Sequence, residues 1–255
     1  MNLRHRLRRA VVFRFAAVWP TALLLVLALG PAVAHAQLPY SKAGKLTGID
    51  VSHWQGYIGW SSVADAGVKF AIAKATDGRS YADSRYARNQ LRSEAVGIRF
   101  GAYHFARPDG TYRDAIREAD FFVETANLAG RHLLPALDLE VSGGLGRTAL
   151  RAWVTKWLTR VESRLGVKPM IYTTASFWSD RLGNTTWFAA NGYRVLWIAH
   201  WNVDAPNVPA SDWNGRGWTF WQVSSCGKIP GIDGCVDIDL YDGLDLSPVL
   251  IKNNR

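Results

Sequence analysis

Two carboxylic acids separated by one apolar residue close the segment HLLPALDLE (132–140). In an extended chain, Leu137 and Leu139 face one side and Asp138 and Glu140 the other, about 6.6 Å apart at Cα. Side chains that lean together can approach the roughly 5–5.5 Å carboxyl spacing of retaining glycosidases. Two such neighbours resist ionising together, so one keeps a proton for a leaving-group oxygen while the other stays charged. Further acids fall in other strand-like runs: Asp50 near the end of LTGIDV (46–51), and Asp237 and Asp239 in VDIDLY (236–241). A carboxylate inside an apolar strand is costly to bury without a partner, so its presence there calls for a reason. The plainer alternative is a solvated strand end, or an ion pair with an arginine.

The elements that must position these acids alternate along the chain. Apolar strand-like runs LTGIDV (46–51), KFAIAKA (69–75), RFGAYHFA (99–106), HLLPALDLE (132–140) and PMIYTT (169–174) are separated by segments of helical type. The clearest of these span 112–128 and 148–165. In the latter, Leu150, Val154, Trp157, Leu158, Val161 and Leu165 form one stripe at spacings of three and four, ending at Gly166. Beyond Trp178 the runs VLWIAHW (195–201), WTFWQVS (218–224) and VDIDLY (236–241) are joined by turn-rich connections instead. The pattern predicts an α/β fold, an irregular TIM-like barrel of five β/α units followed by three strands, within a single domain over 46–255. In such a barrel, ligands meet the C-terminal ends of the strands. Several aromatic residues occupy those ends: Tyr103, Tyr172, Trp197, Trp201, Trp218 and Trp221. For any one of them core packing is the commoner role, but flat rings beside carboxylates suit sugar faces.

The first fourteen residues carry five arginines and no acid; an apolar run centred on TALLLVLAL (21–29) follows and ends at Ala34-His35-Ala36. These are the three parts of a secretory signal peptide, here read as residues 1–36 with a short leader at 37–45. The run is too broken by Pro20, Gly30 and Pro31 for a membrane span, so the mature protein is expected to be exported, with no membrane partner. Removing residues 1–36 takes five arginines from a net charge of +9 and leaves about +4, well short of a nucleic-acid-binding profile. Cys226 and Cys235 are the two cysteines of the chain, and their closeness in an exported protein predicts a disulfide.

The segments TGIDVSHWQG (47–56), GAYHFA (101–106), LDLE (137–140), MIYTT (170–174), WIAHW (197–201) and FWQVSSCGKIPGIDGCVDIDLY (220–241) together resemble glycoside hydrolase family 25, the Chalaropsis-type lysozymes. The likeness runs from Leu46 to Leu246. It implies hydrolysis of the β-1,4 bond between N-acetylmuramic acid and N-acetylglucosamine, with bacterial peptidoglycan as partner and no metal or cofactor. Glu140 matches the family's catalytic acid/base, Asp138 the residue that supports the substrate's N-acetyl group, and Asp50 and Asp237 the two further acids. Where the family often has Asn, this chain has Asp239, which adds charge near the mouth and is placed outside the core site. Tyr103, Tyr172, Trp201, Trp221 and Gln222 are expected to line the cleft, and the enzyme to act as a monomer.

Two other classes are weighed against this. A zinc amidase would need converging histidines, but His53, His104, His132 and His200 fall in no HExxH-like motif. A calcium loop in DGCVDIDLYDGLD (233–245) fails the EF-hand pattern at Tyr241 and Pro248. An inactive wall-binding protein would have little reason to keep Asp50, Asp138, Glu140 and Asp237 together.

Overall fold

Strand β1 (Leu46–Val51) occupies the run LTGIDV and begins a closed ring of eight strands. The computed structural model describes residues 40–252; the segment read as a signal peptide and the first residues of the leader lie outside the described residues. From β1 the chain passes through α1 (Trp60–Asp65), β2 (Phe70–Asp77), the two-residue β3 (Tyr81–Ala82), α2 (Tyr86–Ala95), β4 (Arg99–Phe105), α3 (Asp114–Ala126) and β5 (Ala136–Asp138). It continues through α4 (Arg147–Leu165), β6 (Met170–Thr174), α5 (Ala175–Leu182), α6 (Trp187–Ala190), β7 (Leu196–Ala199), α7 (Pro209–Gly215), β8 (Phe220–Gly227) and β9 (Val236–Tyr241). Strands β1, β2, β4, β5, β6, β7 and β8 pair in parallel, in that order. Strand β9 closes the ring, antiparallel to both β8 and β1, and β3 is added antiparallel to the end of β2. The fold is an irregular TIM-like barrel of five β/α units and three further strands, as the alternation of runs predicts.

Period-two alternation sorts the strand side chains into two layers. Phe70, Ile72, Tyr103, Met170, Tyr172, Trp197 and Phe220 fill the barrel. Ala71, Ala73, Leu137, Leu139, Ile171 and Ile198 face outward and bury the apolar stripes of the helices. The stripe read in 148–165 is that of α4, whose Leu150, Val154, Trp157, Leu158 and Val161 are all buried. At Gly48 a Cβ would stand 2.2 Å from the Phe70 ring, so a glycine in β1 is what lets that ring occupy the interior.

Two segments differ from the sequence expectation. Strand β5 has three residues rather than nine. Pro135 has no N–H to donate to a ladder, and the residues before it bond elsewhere: Leu133 N–H to the Phe100 carbonyl, and Leu134 N–H to the Val249 carbonyl near the chain's end. The second is α7, where Ala210 to Asn214 all have φ between 47° and 61°, a left-handed turn of five non-glycine residues. Left-handed backbone costs roughly 1–2 kcal/mol per residue. Burial of Trp213, whose indole N–H donates to the Tyr193 carbonyl at 3.0 Å, and a 2.6 Å bond from Ala210 N–H to Asn184 Oδ1 oppose that cost. Among the described residues, no helix is long and apolar enough to cross a membrane.

Candidate active site

The antiparallel course of β9 decides which acids meet. Asp237 lies at the start of β9, yet that start stands beside the C-terminal ends of its neighbours, and Asp237 pairs in register with Asp50 of β1. Gln222, from β8, bridges the two: its Nε2 donates to Asp50 Oδ2 at 2.6 Å and to Asp237 Oδ2 at 3.4 Å. The Gln222 Oε1 accepts from the Tyr172 hydroxyl at 3.0 Å and from the Trp201 indole N–H at 2.9 Å. One buried amide therefore connects four of the residues singled out from sequence. Across the mouth, Asp138 is buried at the end of β5, and Glu140, two residues on, is exposed with its carboxyl within hydrogen-bonding reach of Asp138. The Oδ1 of Asp138 has no hydrogen-bond partner among the described residues.

Charge is concentrated here with little to neutralise it. Burial, and then the charges of Asp237 and Asp239, push Asp50 well above the usual carboxylate range, although the Gln222 bond opposes this. Burial and then Glu140 do the same to Asp138. Asp237 is pushed up to about 6, chiefly by burial, with Glu140 adding to it and a bond from Asp50 opposing it. The phenols of Tyr103 and Tyr172 are raised well above 10 by burial and by the same acids. Carboxyls this close together and this deeply buried resist ionising together, the setting in which general acids are found.

Sequence reasoning placed two residues differently from the structure. Trp221 was expected in the cleft, but its neighbours Phe220 and Gln222 face the barrel interior, so alternation turns Trp221 outward. There its N–H donates to the His200 carbonyl at 2.8 Å, its ring packs edge-on to Trp218, and Lys42 Nζ sits 4.4 Å above it. Asp239 was expected outside the core site, adding charge at the mouth. It is fully buried inside the barrel, Oδ1 accepting from the Trp197 indole at 2.8 Å, and burial pushes its carboxyl well above the usual carboxylate range although that bond opposes it. Tyr103 does line the interior beside Asp50 and Asp138, edge-on to Trp197.

Sequence reasoning missed Lys74. Its Nζ lies 4.7 Å from the Phe105 ring and 3.8 Å from Asp77, and its charge opposes the upward push on Asp138. A lysine inside the apolar run KFAIAKA was the available signal. The four barrel histidines do not converge. His53 pairs with Asp83, His104 with Thr76 and Glu118, His132 with Glu94, and His200 Nδ1 accepts from the Asn207 N–H. Beside Trp201, at the ends of β6 and β7, a cavity of about 320 Å³ is lined by Thr174, Ser176, Ala199, His200 and Asn207. The predicted Cys226–Cys235 disulfide is present and closes the β8–β9 loop.

An α/β barrel that gathers several carboxyls and aromatic rings at the C-terminal ends of its strands has the architecture of a glycoside hydrolase. The model of glycosyl hydrolases family 25 matches residues 49–232. Lysozyme M1 of Streptomyces globisporus is 40% identical over 216 residues, covering 81% of this chain and 71% of that one. The N,O-diacetylmuramidase of Chalaropsis sp is 32% identical, over 74% of this chain and 95% of its own. The crystal structure of the bacterial lysozyme from Streptomyces coelicolor superposes with a TM-score of 0.75 at 38% identity, covering 82% of this chain and 96% of that one. The chain belongs to glycosyl hydrolase family 25 and is a glycoside hydrolase.

Proposed function

We propose that this protein is an exported muramidase that cleaves the β-1,4 bond between N-acetylmuramic acid and N-acetylglucosamine in bacterial peptidoglycan. The observation that carries the assignment is the Asp138–Glu140 pair at the mouth, a buried and an exposed carboxyl within hydrogen-bonding reach of each other, opposite the Asp50–Gln222–Asp237 bridge. Glu140, the accessible member, protonates the glycosidic oxygen as the bond to the anomeric carbon breaks. The carbonyl oxygen of the substrate's own N-acetyl group attacks that carbon and gives a positively charged oxazoline-like ring. Asp138, beside Glu140, stabilises that positive charge as it develops, so the interaction strengthens in the transition state. Glu140, now ionised, takes a proton from the incoming water, and the product keeps its β-configuration. Asp50 and Asp237 orient the substrate, and Tyr103, Tyr172 and Trp201 line the cleft.

Purified peptidoglycan digested by the protein should yield new reducing ends of N-acetylmuramic acid by mass spectrometry. New N-acetylglucosamine reducing ends, or freed peptides with intact glycan, would refute the reading. Wall lacking the acetyl group on the −1 sugar should be nearly inert; its efficient cleavage would refute attack by the N-acetyl group. Export rests on the segment 1–36, and the secreted protein should begin at Gln37. A retained Met1 would contradict this.

A further inference from the structure

Trp54 is 79% exposed, an unusual position for the largest apolar side chain, on a turn tied at several points. It lies in a short 3₁₀ turn (His53–Gln55) directly after β1. Ser52 and Gln55 form a capping box around that turn, each side chain accepting from the other residue's end of it. His53 is fastened by Asp83, whose Oδ2 accepts the His53 backbone N–H at 2.9 Å and meets its ring Nδ1 at 2.8 Å. The His53 ring packs 4.6 Å from the Trp54 ring on one side and edge-on to Tyr81 at 5.9 Å on the other. From the far side, Gln55 Nε2 donates to the Cys235 carbonyl, and Gly59 N–H to the Gly231 carbonyl, so the disulfide loop braces the same segment. These ties fix the turn that carries the indole, which has the His53 ring as a neighbour and is otherwise largely open to solvent.

Position in the ring indicates what the indole meets. The turn follows β1, and Tyr81 lies in the hairpin at the end of β2, so both stand on the rim of the mouth. In a closed ring of eight, β1 and β2 lie opposite β6 and β7, whose ends carry Trp201 and the 320 Å³ cavity. A linear polymer crossing the carboxylates from one rim to the other leaves the mouth over Trp54. We infer that Trp54, backed by His53 and Tyr81, is a distal subsite on which a sugar ring of the glycan strand, beyond those at the carboxylates, stacks its C–H face. The inference rests on the proposed wall-hydrolase reading, of which it specifies the substrate: a long strand rather than a short fragment. An aromatic side chain on an anchored turn gains contact with less loss of conformational freedom than one on a loose loop, and its attraction for an apolar sugar face is additive to the chemistry at Glu140.

The test compares kcat/KM on long glycan strands, prepared from peptidoglycan stripped of peptide, with kcat/KM on the corresponding tetrasaccharide. Trp54→Ala should lower the long-to-short ratio by roughly fivefold, the scale of one aromatic contact. Trp54→Phe should restore most of it, and Tyr81→Ala should lower it less. Leu91→Ala, exposed on α2 in the helical layer, should leave the ratio alone. Thermal unfolding should be unchanged in Trp54→Ala, since the ring is exposed. A folded Trp54→Ala protein with the wild-type ratio would overturn the subsite while leaving the wall-hydrolase reading standing. A wild-type protein that neither binds nor cleaves either substrate would overturn that reading, and the subsite with it.

Discussion

Replacing Asp237 by Asn tests whether the acid cluster is held against the fold's own preference. In the folded protein this carboxyl titrates at about 6, against 3.8 for the ordinary group. It therefore binds its proton more tightly folded than unfolded, and the sign follows. Its contribution to stability is complete below about pH 4 and is lost as pH rises through about 6. The full difference corresponds to about 3 kcal/mol at 1.36 kcal/mol per tenfold. Asp237 is only partly buried and shares its proton with Asp50, so screening and coupling reduce this to roughly 1–2 kcal/mol. Asn cannot ionise and still offers an oxygen to Gln222 Nε2, so Asp237→Asn should match the wild type near pH 4 and exceed its stability by roughly 1–2 kcal/mol near pH 7.5. For a domain of this size that is a few degrees in Tm. Paired urea titrations at the two pH values measure it. The same difference at both, or a less stable variant at neutral pH, would refute the electrostatic account. A gain in stability with a loss of wall cleavage would mark Asp237 as kept for function.

The carboxylates of the pair should play unequal parts. Glu140→Gln should reduce wall lysis by about 10²–10⁴-fold while fragments still bind, and Asp138→Asn should be severe with a changed pH profile; an active Glu140→Gln enzyme would remove the assignment. Gln222→Ala should free Tyr172, Trp201, Asp50 and Asp237 together, so a double variant with Tyr172→Phe should lose less than the sum of the single losses; strict additivity would deny the bridge. Reducing Cys226–Cys235 should destabilise the fold by roughly 2–3 kcal/mol in thermal or urea unfolding, as expected for a loop this short. No shift on reduction would show that the loop is held by its other contacts.

Much of the fold was legible because the period of the apolar residues changes sharply along the chain. LTGIDV and VDIDLY match β1 and β9 residue for residue, and the stripe Leu150 to Val161 gives α4. Short elements were not legible. The two residues of β3 and the left-handed turn at Ala210–Asn214 owe their form to neighbours distant in sequence, not to any period. Within the site, Asp138 and Glu140 stood out because carboxylates in an apolar strand are rare. Trp221 was misjudged from its company: an aromatic residue between Phe220 and Gln222 is equally plausible in the cleft until the phase of the alternation is known. Asp239 reads as a charge at the mouth because sequence alone does not give its depth, and it lies inside the barrel instead.

The antiparallel return of β9 has a consequence in time. Until residues 236–241 have left the machinery that makes or moves the chain, β1 and β8 remain two open edges of an unfinished sheet, and Asp50 and Gln222, which contact each other across 172 positions of sequence, have nothing to hold them in register. Such distant contacts form late. A chain ending before β9 would already contain Asp50, Asp138 and Glu140 but not Asp237, and would have no strand to close the wall between β8 and β1. Because β9 follows every other strand of the ring, cleavage is conditional on residues 236–241 having joined it, so a copy truncated before them should be silent towards glycan.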